Sequence, residues 1–209
     1  MDDDKKMDAG RSLEIISDAI KTSRREAGRS VGTMMTAWGV LGVATSAAVA
    51  WLWGATDDVH WNWLWAAAAL AAYVHYLYMK RQEKRGHTAD TFATQVIKWV
   101  WATFIGVGGC AVMFGFDFIY NEPAAAHLQV YPAIILLLCL ASGVTGMVTS
   151  NGAGSGCAVM AVYWAKAAAE EGDSEQAVCM ALACFFALLL PGLIMKYRTK
   201  KRYGERETE

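Results

Sequence analysis

Apolar runs long enough to cross a bilayer recur along this chain, and blocks of charge separate them. The pattern is sharpest around a basic elbow at Lys80, Arg81, Lys84 and Arg85, which lies between two such runs. Backbone placed in hydrocarbon must satisfy its hydrogen bonds within its own segment, so runs of this length restrict the fold to helices. Composition agrees. Apolar residues make up 55% of the 209 and charged residues 19%, below the usual share of about 25% for a globular domain.

Six runs are read as spans. Residues 31–53 form the first, 23 residues or about 34 Å of helix, enough for a hydrocarbon layer of about 30 Å with some tilt. Residues 61–79, 96–118, 131–149, 156–169 and 176–195 follow, the fifth being the shortest. Pro132 stands in the first turn of the fourth span, where a missing N–H costs little. The expected fold class is all-α: a polytopic membrane helix bundle of six transmembrane helices. Its parts are a cytoplasmic segment over residues 1–30, the six-helix domain over 31–195 and a basic cytoplasmic tail over 196–209.

The segment before the first span reads as an amphipathic helix. Leu13, Ile16 and Ile20, joined by Ile15, recur at helical spacing, while Glu14, Asp18, Lys21 and Arg25 take the other side. Lys21, Arg24, Arg25 and Arg29 gather near the membrane, and Gly28 is expected to loosen the join to the first span. Asp2-Asp3-Asp4-Lys5-Lys6 resembles a tag or cleavage remnant and is set aside.

Charge tests the span count. With six spans, alternate loops share a side, and 18 of the 19 lysines and arginines then fall on the side of both termini. Asp57, Asp58, Asp117, Glu122, Glu170, Glu171, Asp173 and Glu175 fall on the other, accompanied only by Lys166. The positive-inside rule places the basic side in the cytoplasm. An odd count would break this separation.

Trp51, Trp53, Trp61, Trp63 and Trp65 flank one acidic loop and are read as interfacial anchors. Gly106 and Gly109 in the third span, and Ser142 and Gly146 four apart in the fourth, are read as helix-packing positions. A candidate polar path rests on the few ionisable residues in or near spans: His75, Lys166 and Glu170, the last two one turn apart. Asp57, Asp58, His60, Asp117, Glu122 and His127 share the acidic side without the spacing of a metal site.

No cofactor or metal motif is present. The glycine-rich turn at residues 150–156 lacks the lysine of a phosphate loop, and no His-Glu-x-x-His or serine, histidine and acid set occurs. Cys110, Cys139, Cys157, Cys179 and Cys184 lie in or near apolar runs without short Cys-x-x-Cys spacing, so they are read as small packing residues. The basic segments carry no nucleic-acid motif. An enzyme is not indicated.

The order of parts resembles a family of uncharacterised six-span integral membrane proteins of Bacteroidetes. The resemblance is carried by Ser12-Leu13-Glu14-Ile15-Ile16, Trp38-Gly39, the elbow from Lys80 to Arg85, Val100-Trp101, Tyr131-Pro132 and Pro191-Gly192 before a basic tail. It implies an inner-membrane location and no mechanism. The expected partners are the lipid bilayer, further copies of the chain in a homo-oligomer, and a cytoplasmic protein bound through Leu13, Ile16 and Ile20. The expected function is a non-enzymatic interaction or regulatory role, with a small oligomeric transporter or channel as the alternative.

Overall fold

A computed structural model describes residues 2–85, 92–121, 130–149 and 151–204. Those residues are all-helical, with no strand among them. The elements are α1 (Asp2–Thr56), a 3-10 turn (Val59–Trp63), α2 (Leu64–Arg85), α3 (Phe92–Asn121), α4 (Val130–Val148), α5 (Gly152–Glu170), α6 (Asp173–Cys184), a π turn (Phe185–Leu189) and α7 (Leu190–Gly204).

Among the described residues, four segments are long and apolar enough to cross a membrane: Ser30–Thr56, Phe92–Val112, Val130–Val148 and Ser174–Arg198. α2 and α5 have comparable length, 22 and 19 residues, but tyrosines, tryptophans, lysines and glycines lower their apolar character.

Local chemistry sets the helix ends. α1 contains no proline and runs unbroken through Gly28, so the expected loosening there is absent. It stops where Asp57 turns left-handed, φ 53°, and donates its N–H to the Trp53 carbonyl at 2.8 Å. Asp58 then caps the 3-10 turn, its carboxylate accepting the His60 N–H at 2.9 Å. The glycine-rich turn expected over residues 150–156 is shorter than anticipated, because α5 is already helical at Gly152. The basic elbow continues α2 as helix to Arg85, while residues 86–91 lie outside the described set.

α1 packs along α6, the π turn and α7, while α4 packs with α5 as a hairpin and also reaches α6. α3 covers α4, and α2 lies against α1. The contacts depend on missing side chains. A β-carbon on Gly39 would lie 2.6 Å from the Leu189 backbone nitrogen, and one on Gly192 would lie 2.7 Å from that of Thr36. One on Gly146 would meet Ser155 N at 2.7 Å. Ala158, Ala161, Ala165 and Ala168 line the buried face of α5, while Val159, Met160, Val162 and Tyr163 face outward. Small residues thus sit inside and large apolar ones outside, the arrangement that lets membrane helices approach closely.

Gly106 and Gly109 do not take the packing role expected of them. Both are exposed, and a β-carbon at either meets nothing within 4 Å among the described residues. The face of α3 that carries them points away from α4, so the close approaches fall at Gly39, Gly146 and Gly192 instead.

These distances predict that Gly39→Ala destabilises the protein by about 1–3 kcal/mol through overpacking. Gly106→Ala, on an open face, should be neutral or slightly stabilising because alanine favours helix over glycine by about 1 kcal/mol. Thermal unfolding of the two variants in detergent checks the contrast, and equal losses would contradict it.

Candidate functional site

Among the described residues, three groups of polar side chains tie elements of the bundle together. The first is at the end where α1 meets α2. His60 Nδ1 lies 2.6 Å from Asp58 Oδ1. The His60 backbone N–H, followed by its ring, lowers the Asp58 carboxyl below its ordinary value of 3.8. Nearby, Trp65 Nε1 donates to the Tyr131 hydroxyl at 3.3 Å, and Tyr131 donates to Asn62 Oδ1 at 2.6 Å. This short chain ties the 3-10 turn and α2 to the start of α4.

The second place lies inside the bundle and begins with Pro191. Proline has no N–H, so the Ala187 carbonyl one turn earlier loses its ordinary helical donor. Two adjustments meet that loss. The helix widens into the π turn, with the Leu190 N–H reaching back to the Phe185 carbonyl. The Ser142 hydroxyl of α4 then donates to the Ala187 carbonyl across the helix interface. Ser142 is 1% exposed and Ala187 fully buried, so water cannot take over that role.

One turn along α4, Thr145 receives the Trp101 indole N–H at 3.2 Å and passes its own hydroxyl proton to the Ala141 carbonyl at 2.7 Å. Trp101 stands edge-on to Trp38, ring centroids 5.7 Å apart. Trp38 Nε1 is buried and has no hydrogen-bond partner among the described residues.

The third place is the opposite end, where Arg198 Nη1 donates to Asn151 Oδ1 at 3.1 Å.

The sequence candidates distribute unevenly over this frame. His75 is half-buried on α2, its Nδ1 buried without a partner among the described residues. Lys166 and Glu170 pair at 3.4 Å on the exposed side of α5, with side chains 74% and 66% exposed. α2 packs on α1 and α5 on α4 and α6, so the structure does not join His75 to that pair in one path. An exposed pair of this kind contributes little to stability.

The five tryptophans divide. Trp51 and Trp63 are exposed, and Trp61 bonds Thr56 Oγ1 at 2.8 Å. Trp53 is buried against Val49 and Ala177, because its side of α1 faces α6. Trp65 is partly buried and held by Tyr131. Ser142 and Gly146 both lie buried at helix contacts, Ser142 as a donor and Gly146 against Ser155. Of the acidic-side positions, Glu122 and His127 lie outside the described residues, as does the Asp117 side chain. No group of three metal-ligating side chains occurs among the described residues.

Sequence reading missed the contact of Trp38 with Trp101, the bond from Trp101 to Thr145 and the bond from Ser142 to the Ala187 carbonyl. Only Pro191, a proline inside an apolar run, signalled that a carbonyl there would need a donor.

Ser142→Ala should cost about 1–3 kcal/mol by stranding the buried Ala187 carbonyl. In a Pro191→Ala background, which returns the backbone N–H, the same change should cost markedly less. A double-mutant cycle on unfolding midpoints measures the coupling, and additive effects would contradict it. At the other end, Asp58 binds its proton more weakly when folded, so its contribution is present above pH 3.8 and lost as pH falls below that value. An acid titration of the His60 amide resonance, with Asp58→Asn as reference, follows that loss.

Compared with protein families, with curated proteins and with solved structures, the chain matches none.

Proposed function

We propose that the chain is an integral protein of the bacterial inner membrane with six spans, both termini in the cytoplasm, and a non-enzymatic interaction role. Two features support the topology: the segregation of basic and acidic loops, and the outward large residues on α5 that accompany its alanine-lined inner face. α2 joins α5 as a span in this reading. The resemblance to Bacteroidetes membrane proteins fits the same location.

The observation that carries the interaction role is at the start of α1. Leu13, Ile16 and Ile20 stand exposed, Leu13 at 67%, on a helix that precedes the apolar window. A three-residue stripe at i, i+3 and i+7 is the pattern by which an amphipathic helix enters an apolar groove. The amino-terminal part of α1 is therefore the docking element for a cytoplasmic protein.

His75 favours a second reading, a small oligomeric transporter or channel, because its buried ring nitrogen has no hydrogen-bond partner among the described residues and an ionisable residue in a span marks a candidate polar path.

Cysteine accessibility in intact cells tests the topology. Residue 88 is expected on the cytoplasmic side and residues 57 and 172 on the other; any reversed site would sink the six-span reading. For the interaction role, changing Leu13, Ile16 and Ile20 to Asp should abolish capture of a cytoplasmic partner while leaving membrane insertion unchanged. Ion or solute flux in proteoliposomes that is lost in His75→Ala and Lys166→Ala would favour transport instead.

A further inference from the structure

Asn151 precedes α5 and is 5% exposed, and its side-chain amide faces two ways. Oδ1 takes a hydrogen bond from Arg198. Nδ2 has no partner among the described residues, although it is buried. It is turned onto the first turn of α5, 3.2 Å from the point where a Gly154 β-carbon would stand.

An asparagine before a helix ordinarily accepts from an N–H of the first turn with its side-chain oxygen. Here no side-chain cap bond is made. The Asn151 backbone carbonyl takes the N–H groups of Gly154 and Ser155, at 2.9 and 3.2 Å. Gly152 and Ala153 are left with the N–H groups that helix geometry provides with no intrahelical acceptor.

The acceptors of Asn151 are taken, Oδ1 by Arg198 and the backbone carbonyl by Gly154 and Ser155, which leaves donors facing this corner. Nδ2 of Asn151, the first N–H groups of α5 and the remaining N–H groups of Arg198 supply donors and positive potential, and a glycine at 152 leaves open space beside them. The sequence places no carboxylate between Glu122 and Glu170 or between Glu175 and Glu205, the stretches that carry Asn151 and Arg198. The Met195 methyl, on a flexible side chain, lies 3.6 Å from the same Gly154 point.

We propose that the Asn151–Arg198 corner binds a phosphate oxyanion. The oxyanion accepts from the α5 N-terminus and from Asn151 Nδ2, and Arg198 supplies the neutralising charge. Arg198 closes the apolar window Ser174–Arg198, so in a membrane it stands at headgroup depth. A lipid phosphate and a free phosphate are the two sources of this chemistry. The lipid source rests on the membrane reading above, and the anion site itself does not.

The test uses the full chain in maltoside micelles, which contain no phosphate. Thermal unfolding is followed while phosphatidylglycerol or inorganic phosphate is added. A rise in midpoint with phosphatidylglycerol, and lipid adducts in native mass spectra, identifies a headgroup; a rise with inorganic phosphate identifies the free anion. Either rise should require about tenfold more ligand in Arg198→Gln and in Asn151→Asp, which keeps the side-chain shape and replaces the donor by an acceptor. No rise with either ligand, or a rise unchanged in both variants, overturns the site. Purification of the chain without detergent would overturn the membrane reading alone, since the inorganic phosphate titration still reports on the corner.

Discussion

Inside a dry bundle, a carbonyl without a donor cannot turn to water, and most of the architecture follows from how one such carbonyl is satisfied. Pro191 removes the donor that Ala187 would have had, and Ser142 supplies another from a different helix. For that hydroxyl to reach, α4 must lie close against the last helix. For the chain to pass Pro191, the backbone must widen into the π turn. The widened backbone in turn meets α1 at Gly39, where no side chain intervenes before Leu189. Three helices are thereby fixed relative to one another by a single backbone vacancy.

The bundle also departs from the plan of a water-soluble helical domain. Its deepest positions include Ser46, Ser142 and Thr145 and a line of alanines, whereas Leu136, Leu140, Val159, Met160 and Tyr163 point outward. Large apolar side chains such as Met35, Ile135 and Leu138 fill part of the interior, but many others stay outside. Cohesion rests on close backbone approach, on hydroxyls that return their protons to carbonyls four residues back, and on a few bonds between helices.

Much of this was legible in the residues, and what was not has a physical cause. Each of the six apolar runs falls on helix, since length and hydrophobicity are local properties, and four segments among the described residues are long and apolar enough to cross a membrane. Gly146 and Ser142 were legible because their spacing occurs within one helix. Gly106 and Gly109 carried the same kind of signal and misled, because a glycine shows that a helix permits close approach and not that a neighbour has taken it. The packing of Trp53 was not legible, because its direction is set by which side of α1 faces α6. The bond from Ser142 to Ala187 joins residues 45 apart in sequence, and no local pattern records such a pairing. Asn151 and Arg198 were hidden for the same reason, one in a turn and the other in a basic run that topology alone explained.

The unbroken course of α1 carries a mechanical consequence. Its 55 residues make a rod of about 82 Å, of which the part before Ser30 accounts for about 42 Å. Rigid rods convert angle into distance. A change of about 10° in the tilt of α1 against α7, pivoting where Gly32 and Gly192 let the two backbones touch, sweeps the far end through about 8 Å and Leu13 through about 5 Å. A displacement too small to disturb packing at the pivot would therefore be large at Leu13 and Ile16, on the scale of a side chain entering or leaving a groove.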